Sequence, residues 1–258
     1  MTKTLTTEQA MRYNRQIVLP QIDLEGQEAL LNASVLVIGM GGLGCNAAQS
    51  LAAMGVGKLT LVDDDTVSVT NLPRQILFRD DDAGSSKVLA AKRALQTINP
   101  DCYITAVNYR PALTELSDAI HQHDIVLDCT DNKSSRQQIN QLCAKHGTPL
   151  VSGAAIRFEG QVFVTTFAAD MPCYNCLAAL FGEIDLSCTE AGIFSPVVAI
   201  TGLQQALLTS QLLTGFGETP VGKLQLFDAL THTWQHFSVP RLPGCQTCHH
   251  HNTAKERL

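Results

Sequence analysis

Four groups of residues in this sequence have the types and spacing to do chemistry. Gly39, Gly41 and Gly44 fall at G-x-G-x-x-G spacing within GMGGLG, and Asp63 follows nineteen residues after the last of them. Glycines let backbone N–H groups approach a phosphate, a helix N-terminus favours its negative charge, and an acid at that interval accepts from a ribose hydroxyl. The fingerprint fits NAD, FAD and ATP alike, so it implies a nucleotide without naming it. The bland alternative is a glycine turn that only lets a helix pack closely on a sheet.

A second group lies in TNLPRQ, where Pro73 breaks a loop carrying Asn71, Arg74 and Gln75. This loop sits just beyond the acid-tipped strand, where ligands of open α/β sheets bind. Lys87 follows in the first turn of a helix, a place where the helix dipole disfavours a cation, so the ammonium either snorkels or meets an anion. The third group closes DIVLDCTDN with Asp128, Thr130, Asp131 and Asn132. Carboxylates at a strand's C-terminal tip overlook the nucleotide crevice and suit a divalent cation, though Asp131 or Asn132 can instead cap the next helix.

The fourth group is made of cysteines. Cys173-Tyr-Asn-Cys176 and Cys245-Gln-Thr-Cys248 are two C-x-x-C pairs, the thiolate pattern of a structural Zn2+ site. Sixty-eight residues separate the pairs, so a shared metal staples the tail to the sheet. Cys188 lies in the irregular stretch between them, with no local reason to be more than a bystander.

The elements that position these groups follow from periodicity. Val35–Ile38 is an apolar strand, helical spacing continues to Met54, and a second apolar run ends at Asp63. Residues 85–99 have helical spacing with Ser85 or Ser86 as N-cap, and Tyr103–Val107 reads as a strand. A crossover helix is expected over Glu115–His123, a strand over 124–132 and a helix over Lys133–His146. PLVSGAAI and QVFVTTF read as strands joined through Arg157–Gly160, a very apolar helix spans about Pro196–Leu213, and Val221–Ala229 with Thr233–Pro240 form a closing antiparallel hairpin. The fold class is therefore α/β: a Rossmann-like, mostly parallel sheet flanked by helices, continued by antiparallel strands and closed by a four-cysteine zinc staple. One domain over 1–248 is expected, with an N-terminal helical arm (1–34), a nucleotide-binding core (35–167) and a zinc-linked C-terminal part (168–248). Residues 249–258 read as a disordered tail.

Composition narrows the partners. At 258 residues and 45% hydrophobic content the chain can bury a large core. A formal charge of -6 with no Lys/Arg-rich block argues against a nucleic-acid surface. No stretch reaches the 18 or so apolar residues of a membrane span, and the first twenty residues lack a signal-peptide core. A cytoplasmic location is expected, and there nine cysteines favour metal or thiol chemistry over disulfides.

Taken together, RYNRQI, GMGGLG, DDDTV, TNLPRQ, DCTDN and the paired C-x-x-C resemble the ThiF/MoeB/HesA adenylyltransferases, relatives of the adenylation domains of ubiquitin-activating enzymes. Within that family, SGAAIRFEG and the LFGE segment before Cys188 look most like the molybdopterin-synthase branch. The resemblance implies an ATP site with Gly42 at the nucleotide, Asp63 on the ribose, and Asn71, Arg74 and Lys87 on phosphates. It further implies Mg2+ on Asp131, and a homodimer in which Arg15 reaches the partner's site; from composition alone RYNRQI reads as a solvated helix. Pro73 and Met40 depart from the commoner Gln and Leu, and neither side chain is expected to do chemistry.

The reaction so implied joins AMP to the C-terminal Gly-Gly carboxylate of a small ubiquitin-fold sulfur carrier and releases pyrophosphate, as in molybdenum cofactor biosynthesis. A sulfurtransferase or cysteine desulfurase is a further expected partner, and some relatives use a cysteine placed like Cys188 for thiol chemistry. A thiamine-branch carrier is the nearest alternative substrate. An NAD-dependent oxidoreductase shares the glycine turn and Asp63 but gives the cysteine pairs no part, and a scaffold with a purely structural nucleotide is the non-enzymatic alternative.

Overall fold

The computed structural model describes residues 3–181 and 191–248. Cys188 and the expected tail 249–258 lie outside the described residues. Eight strands form one sheet: β1 (Ser34–Ile38), β2 (Lys58–Val62), β3 (Tyr103–Val107), β4 (Ile125–Asp128), β5 (Leu150–Ile156), β6 (Glu159–Thr165), β7 (Lys223–Asp228) and β8 (Thr233–Ser238). Their order is β3-β2-β1-β4-β5-β6-β7-β8. The first five are parallel, and β5 through β8 pair antiparallel. The order reverses between β1 and β4, and the crevice beyond their C-terminal ends is where open α/β sheets hold ligands.

The parallel strands are short apolar runs because both faces are covered. Val35 and Val37 of β1 enter one core, while Leu36 and Ile38 enter the other. The first core receives α4 (Gly42–Met54), α5 (Lys87–Ile98) and α9 (Ser195–Thr214); the second receives α6 (Leu113–His121), α7 (Lys133–His146) and α8 (Tyr174–Ala178). By length and composition α9 is apolar enough to cross a membrane, more so than the sequence reading allowed. Here it packs against α4, β5 and β6, the place of a core helix.

The N-terminal arm is three short helices, α1 (Thr7–Arg12), α2 (Asn14–Ile17) and α3 (Asp23–Asn32). It is anchored where α1 meets α2: Tyr13 is buried, and its hydroxyl accepts from Asn99 Nδ2 at 2.8 Å. Gln16 Nε2 donates to Met54 O at 3.0 Å, so α2 docks at the C-terminal end of α4.

Two boundaries differ from expectation in ways that matter. The strand read over 124–132 ends at Asp128, because the carboxylate turns back to accept from Thr130 N and Oγ1 at 3.0 and 2.6 Å. Residues 129–132 are consequently a loop. The β5–β6 connection is a two-residue turn with Arg157 at φ 53°, tighter than the four residues expected.

Candidate active site

The glycine turn between β1 and α4 is built by steric exclusion. Gly39 adopts φ 94°, and a Cβ there would lie 2.7 Å from Cys129 O. At Gly44 a Cβ would lie 1.9 Å from Gly39 O, so only glycine lets the first turn of α4 close on the strand. A Cβ on Gly42 would meet Val198 Cγ1 at 2.4 Å and Arg74 O at 3.1 Å. At Gly41 the nearest neighbour is Gln75 Nε2 at 4.0 Å, so this glycine faces open space at the N-terminus of α4. The first-turn N–H groups of a helix have no partner within it, so a cradle of backbone donors is left here.

Asp63 closes the cradle from the tip of β2. One carboxylate oxygen accepts from Met40 N at 2.6 Å and the other from Asp65 N at 2.9 Å. Burial raises its carboxyl above the usual range, opposed by the nearby Lys87 charge and the two amide bonds. Lys87 is buried at the start of α5, and its Nζ lies 2.7 Å from Asp65 Oδ2. The anion expected for this lysine is thus supplied within the chain.

The loop after β2 brings up the second expected group. Arg74 stands beside Gly42, with Nη1 donating to Thr70 O at 3.0 Å. Asn71 Oδ1 accepts from Ser68 N at 3.1 Å, so its amide nitrogen carries the remaining donors. Gln75 is buried at the mouth of the cradle, and its Oε1 has no partner in the structure. Ser86 occupies the N-cap of α5 as expected but makes no capping bond, and its hydroxyl is likewise buried and unpartnered. Of these two side chains it is Gln75 that borders the open side of Gly41, where its amide sets a polar edge to the cradle.

The β4 loop separates its two acids. Asp128 is fully buried and also accepts from Ser152 Oγ at 2.8 Å, so its work is holding the loop. Arg136 adds a bond to Thr130 O, and Asn132 caps α7 by accepting from Ser135 N at 2.9 Å. Asp131 is left exposed between these fixed points, and among the described residues its side chain meets only Asn132 Nδ2, at 3.5 Å. Gly39 sits against Cys129 and Thr130, which sets this loop beside the cradle. The carboxylates that gather within 4.8 Å of one another are Asp63, Asp64 and Asp65, and Asp131 is not among them.

Three contributors were not legible in the sequence. Asp65 had no assigned partner, and Asp128 looked interchangeable with Asp131. Gln205, in the apolar α9, donates through Nε2 to Asp128 O and Val151 O at 3.0 and 3.2 Å, which ties that helix to the switch point. No local signal separates such a glutamine from a surface one.

Arg15 is not part of this chain's own crevice. It is exposed and has no hydrogen bond or ion pair among the described residues, and its neighbours Tyr13 and Gln16 hold the far end of α4. The thirteen residues of that helix span about 20 Å, beyond an arginine's reach. Burial pushes the thiol of Cys45, directly behind the turn, up to about 12, which keeps it protonated and inert.

The four expected zinc ligands do come together. Cys173, Cys176, Cys245 and Cys248 place their Sγ atoms within 4.8 Å of one another. Cys173–Cys245 and Cys176–Cys248 are 3.7 and 3.6 Å apart. Tetrahedral zinc with Zn–S near 2.3 Å sets its sulfurs about 3.8 Å apart, so the cluster is compatible with that ion. Leu242 N donates to Cys176 Sγ at 3.5 Å, an outer contact of the kind that orients metal ligands.

The chain is 48% identical over 244 residues to the molybdopterin-synthase adenylyltransferase of Escherichia coli, covering 95% of this chain and 98% of that one. It is 44% identical over 238 residues to the sulfur carrier protein ThiS adenylyltransferase of the same organism, covering 92% and 94%. Among solved structures, E. coli MccB with ATP superposes with a TM-score of 0.79 at 23% identity, covering 92% of this chain and 74% of that one. The profile of the ThiF family matches residues 13–247, and the chain belongs to that family.

Proposed function

We propose that this protein uses ATP and Mg2+ to adenylate the C-terminal Gly-Gly carboxylate of a ubiquitin-fold sulfur carrier, the small subunit of molybdopterin synthase. The observation that carries the reading is the convergence of the open glycine cradle, Asp63, Arg74 and Lys87 on one crevice, in a chain so similar to a molybdopterin-synthase adenylyltransferase.

The chemistry asks for little beyond charge and position. A C-terminal carboxylate has a pKa of about 3.3–3.7 and is ionised at neutral pH, so no general base is required. The obstacle is bringing that anion to the α-phosphorus of a polyanion. The amides at the start of α4 hold phosphate oxygens, Asp63 fixes the ribose, Arg74 and Lys87 neutralise charge that moves onto the leaving pyrophosphate, and the Asn71 amide donates to its oxygens. Asp131 and its pinned loop would hold Mg2+, which supplies charge compensation when bound. The product acyl-adenylate is a substrate for a sulfurtransferase. The cysteine cluster would hold a structural Zn2+ away from this chemistry.

The position of Arg15 at the far end of α4 supports a homodimer in which it serves the partner's crevice. Co-expressing Arg15→Ala with Asp131→Ala subunits tests this. In mixed dimers one site is whole and the other doubly broken, so exchange activity should recover to about a quarter of wild type under random pairing. No recovery, with mixed dimers present, would exclude the trans role.

The 44% identity to a ThiS adenylyltransferase supports a second reading, in which the thiamine carrier is the substrate. ATP–pyrophosphate exchange with each carrier, side by side, decides between them. Exchange that depends on neither carrier removes both.

A further inference from the structure

We propose that Asp65 holds the Lys87 ammonium in the place a nucleotide phosphate takes, and that binding exchanges one anion for the other. This rests on the nucleotide reading of the crevice.

The ion pair is asymmetric in a way that suits exchange. The Lys87 side chain is 8% exposed and that of Asp65 is 69% exposed, at 2.7 Å. A nearly buried ammonium at a helix N-terminus needs a compensating anion, because both desolvation and the helix dipole work against it. The cation is thus fixed, while its counter-ion lies at the solvent side. Among the described residues no other ion pair has so buried a cation.

The pair is wired to the cradle. Lys87 N donates to Asp65 O at 3.0 Å, and Asp65 N donates to Asp63 Oδ1. The other oxygen of Asp63 accepts from Met40 N in the glycine turn. Asp64 completes a group of three acids within 4.8 Å, so a bare triphosphate entering here meets repulsion and an ammonium already occupied. Releasing Asp65 removes that obstacle and leaves its carboxylate facing the incoming ligand, where a divalent cation can take it.

The test is calorimetric titration of the full chain with ATP in excess EDTA and, separately, with Mg2+. Asp65→Asn should tighten Mg2+-free ATP binding about three- to tenfold, since the phosphate no longer displaces a partly exposed pair. It should also shrink the gain in affinity that Mg2+ gives. Asp65→Glu keeps the charge and should retain the wild-type ratio. Asp64→Asn removes equal charge without touching Lys87 and should change Mg2+-free binding by less than twofold. Asp65→Ser serves as the neutral replacement if asparagine lowers the melting temperature. Unchanged or weaker Mg2+-free binding in the neutral variant overturns the exchange, as does equal tightening by Asp64→Asn. Wild-type protein that binds no ATP in either condition overturns the nucleotide reading itself.

Discussion

Replacing Asp131 by alanine is expected to lower carrier-dependent ATP–pyrophosphate exchange by about 10²- to 10³-fold, the usual size of losing one aligned transition-state charge contact. The fold should not notice. Asp131 is exposed, and its one contact among the described residues, at 3.5 Å from Asn132 Nδ2, is too long to hold anything. Substitutions of that kind change stability by about 0.5 kcal/mol or less. Asp128, three positions earlier, gives the opposite result. Its carboxylate is fully buried and accepts from Thr130 N, Thr130 Oγ1 and Ser152 Oγ, so Asp128→Ala leaves buried donors unpaired and costs about 3 kcal/mol or more. Measured together, thermal melts and exchange rates should separate the two acids: one variant stable and inactive, the other unstable. An Asp131→Ala enzyme within threefold of wild-type exchange would remove Asp131 from the site.

That contrast shows where sequence reasoning stops. Glycine spacing and the acid at Asp63 were legible because each is a local requirement: Gly39 and Gly44 exclude any side chain, and Asp63 reaches an amide within the same βαβ unit. The order of elements was legible because both sheet faces are covered, so strands read as unbroken apolar runs. From the residues alone Asp128 and Asp131 were not separated, and only the resemblance pointed to Asp131, because their difference in burial depends on Ser152 in the neighbouring strand. Lys87 was flagged as an odd cation at a helix start, but its partner is twenty-two residues away and exposed, with nothing in its own surroundings to mark it. Gln205 and the Tyr13–Asn99 anchor likewise depend on separations of 77 and 86 residues. Arg15 is the inverse case. Its local sequence suggests nothing, and the fold contributes mainly by setting it out of reach of its own crevice.

The largest structural effect is expected at the cysteine cluster. Protein purified without chelator should contain one zinc per chain, and Cys245→Ser/Cys248→Ser should lose it. Two opposed elements meet at that point: Cys173 and Cys176 begin α8 beyond β6, while Cys245 and Cys248 follow β8, at the exposed end of the sheet. Among the described residues the tail is otherwise held by Arg241 to Asp170 at 2.9 Å, Asn175 to Thr247 at 2.8 Å and the packing of Val239 and Leu242 on the second core. Structural zinc contributes its binding free energy directly to folding, and even a few kcal/mol of it shifts the melting point of a chain this size by about 10 °C. The loss should be felt beyond the tail, because Tyr174 N donates to Asn140 Oδ1 in α7, the helix that Asn132 caps beside the Asp131 loop. Exchange measured well below the new melting point should nevertheless fall less than tenfold, since none of the four cysteines lines the glycine cradle. A metal-free preparation that melts like the metal-loaded one would refute the staple, whereas a tenfold or greater loss in a still-folded variant would make the cluster part of the catalytic machinery.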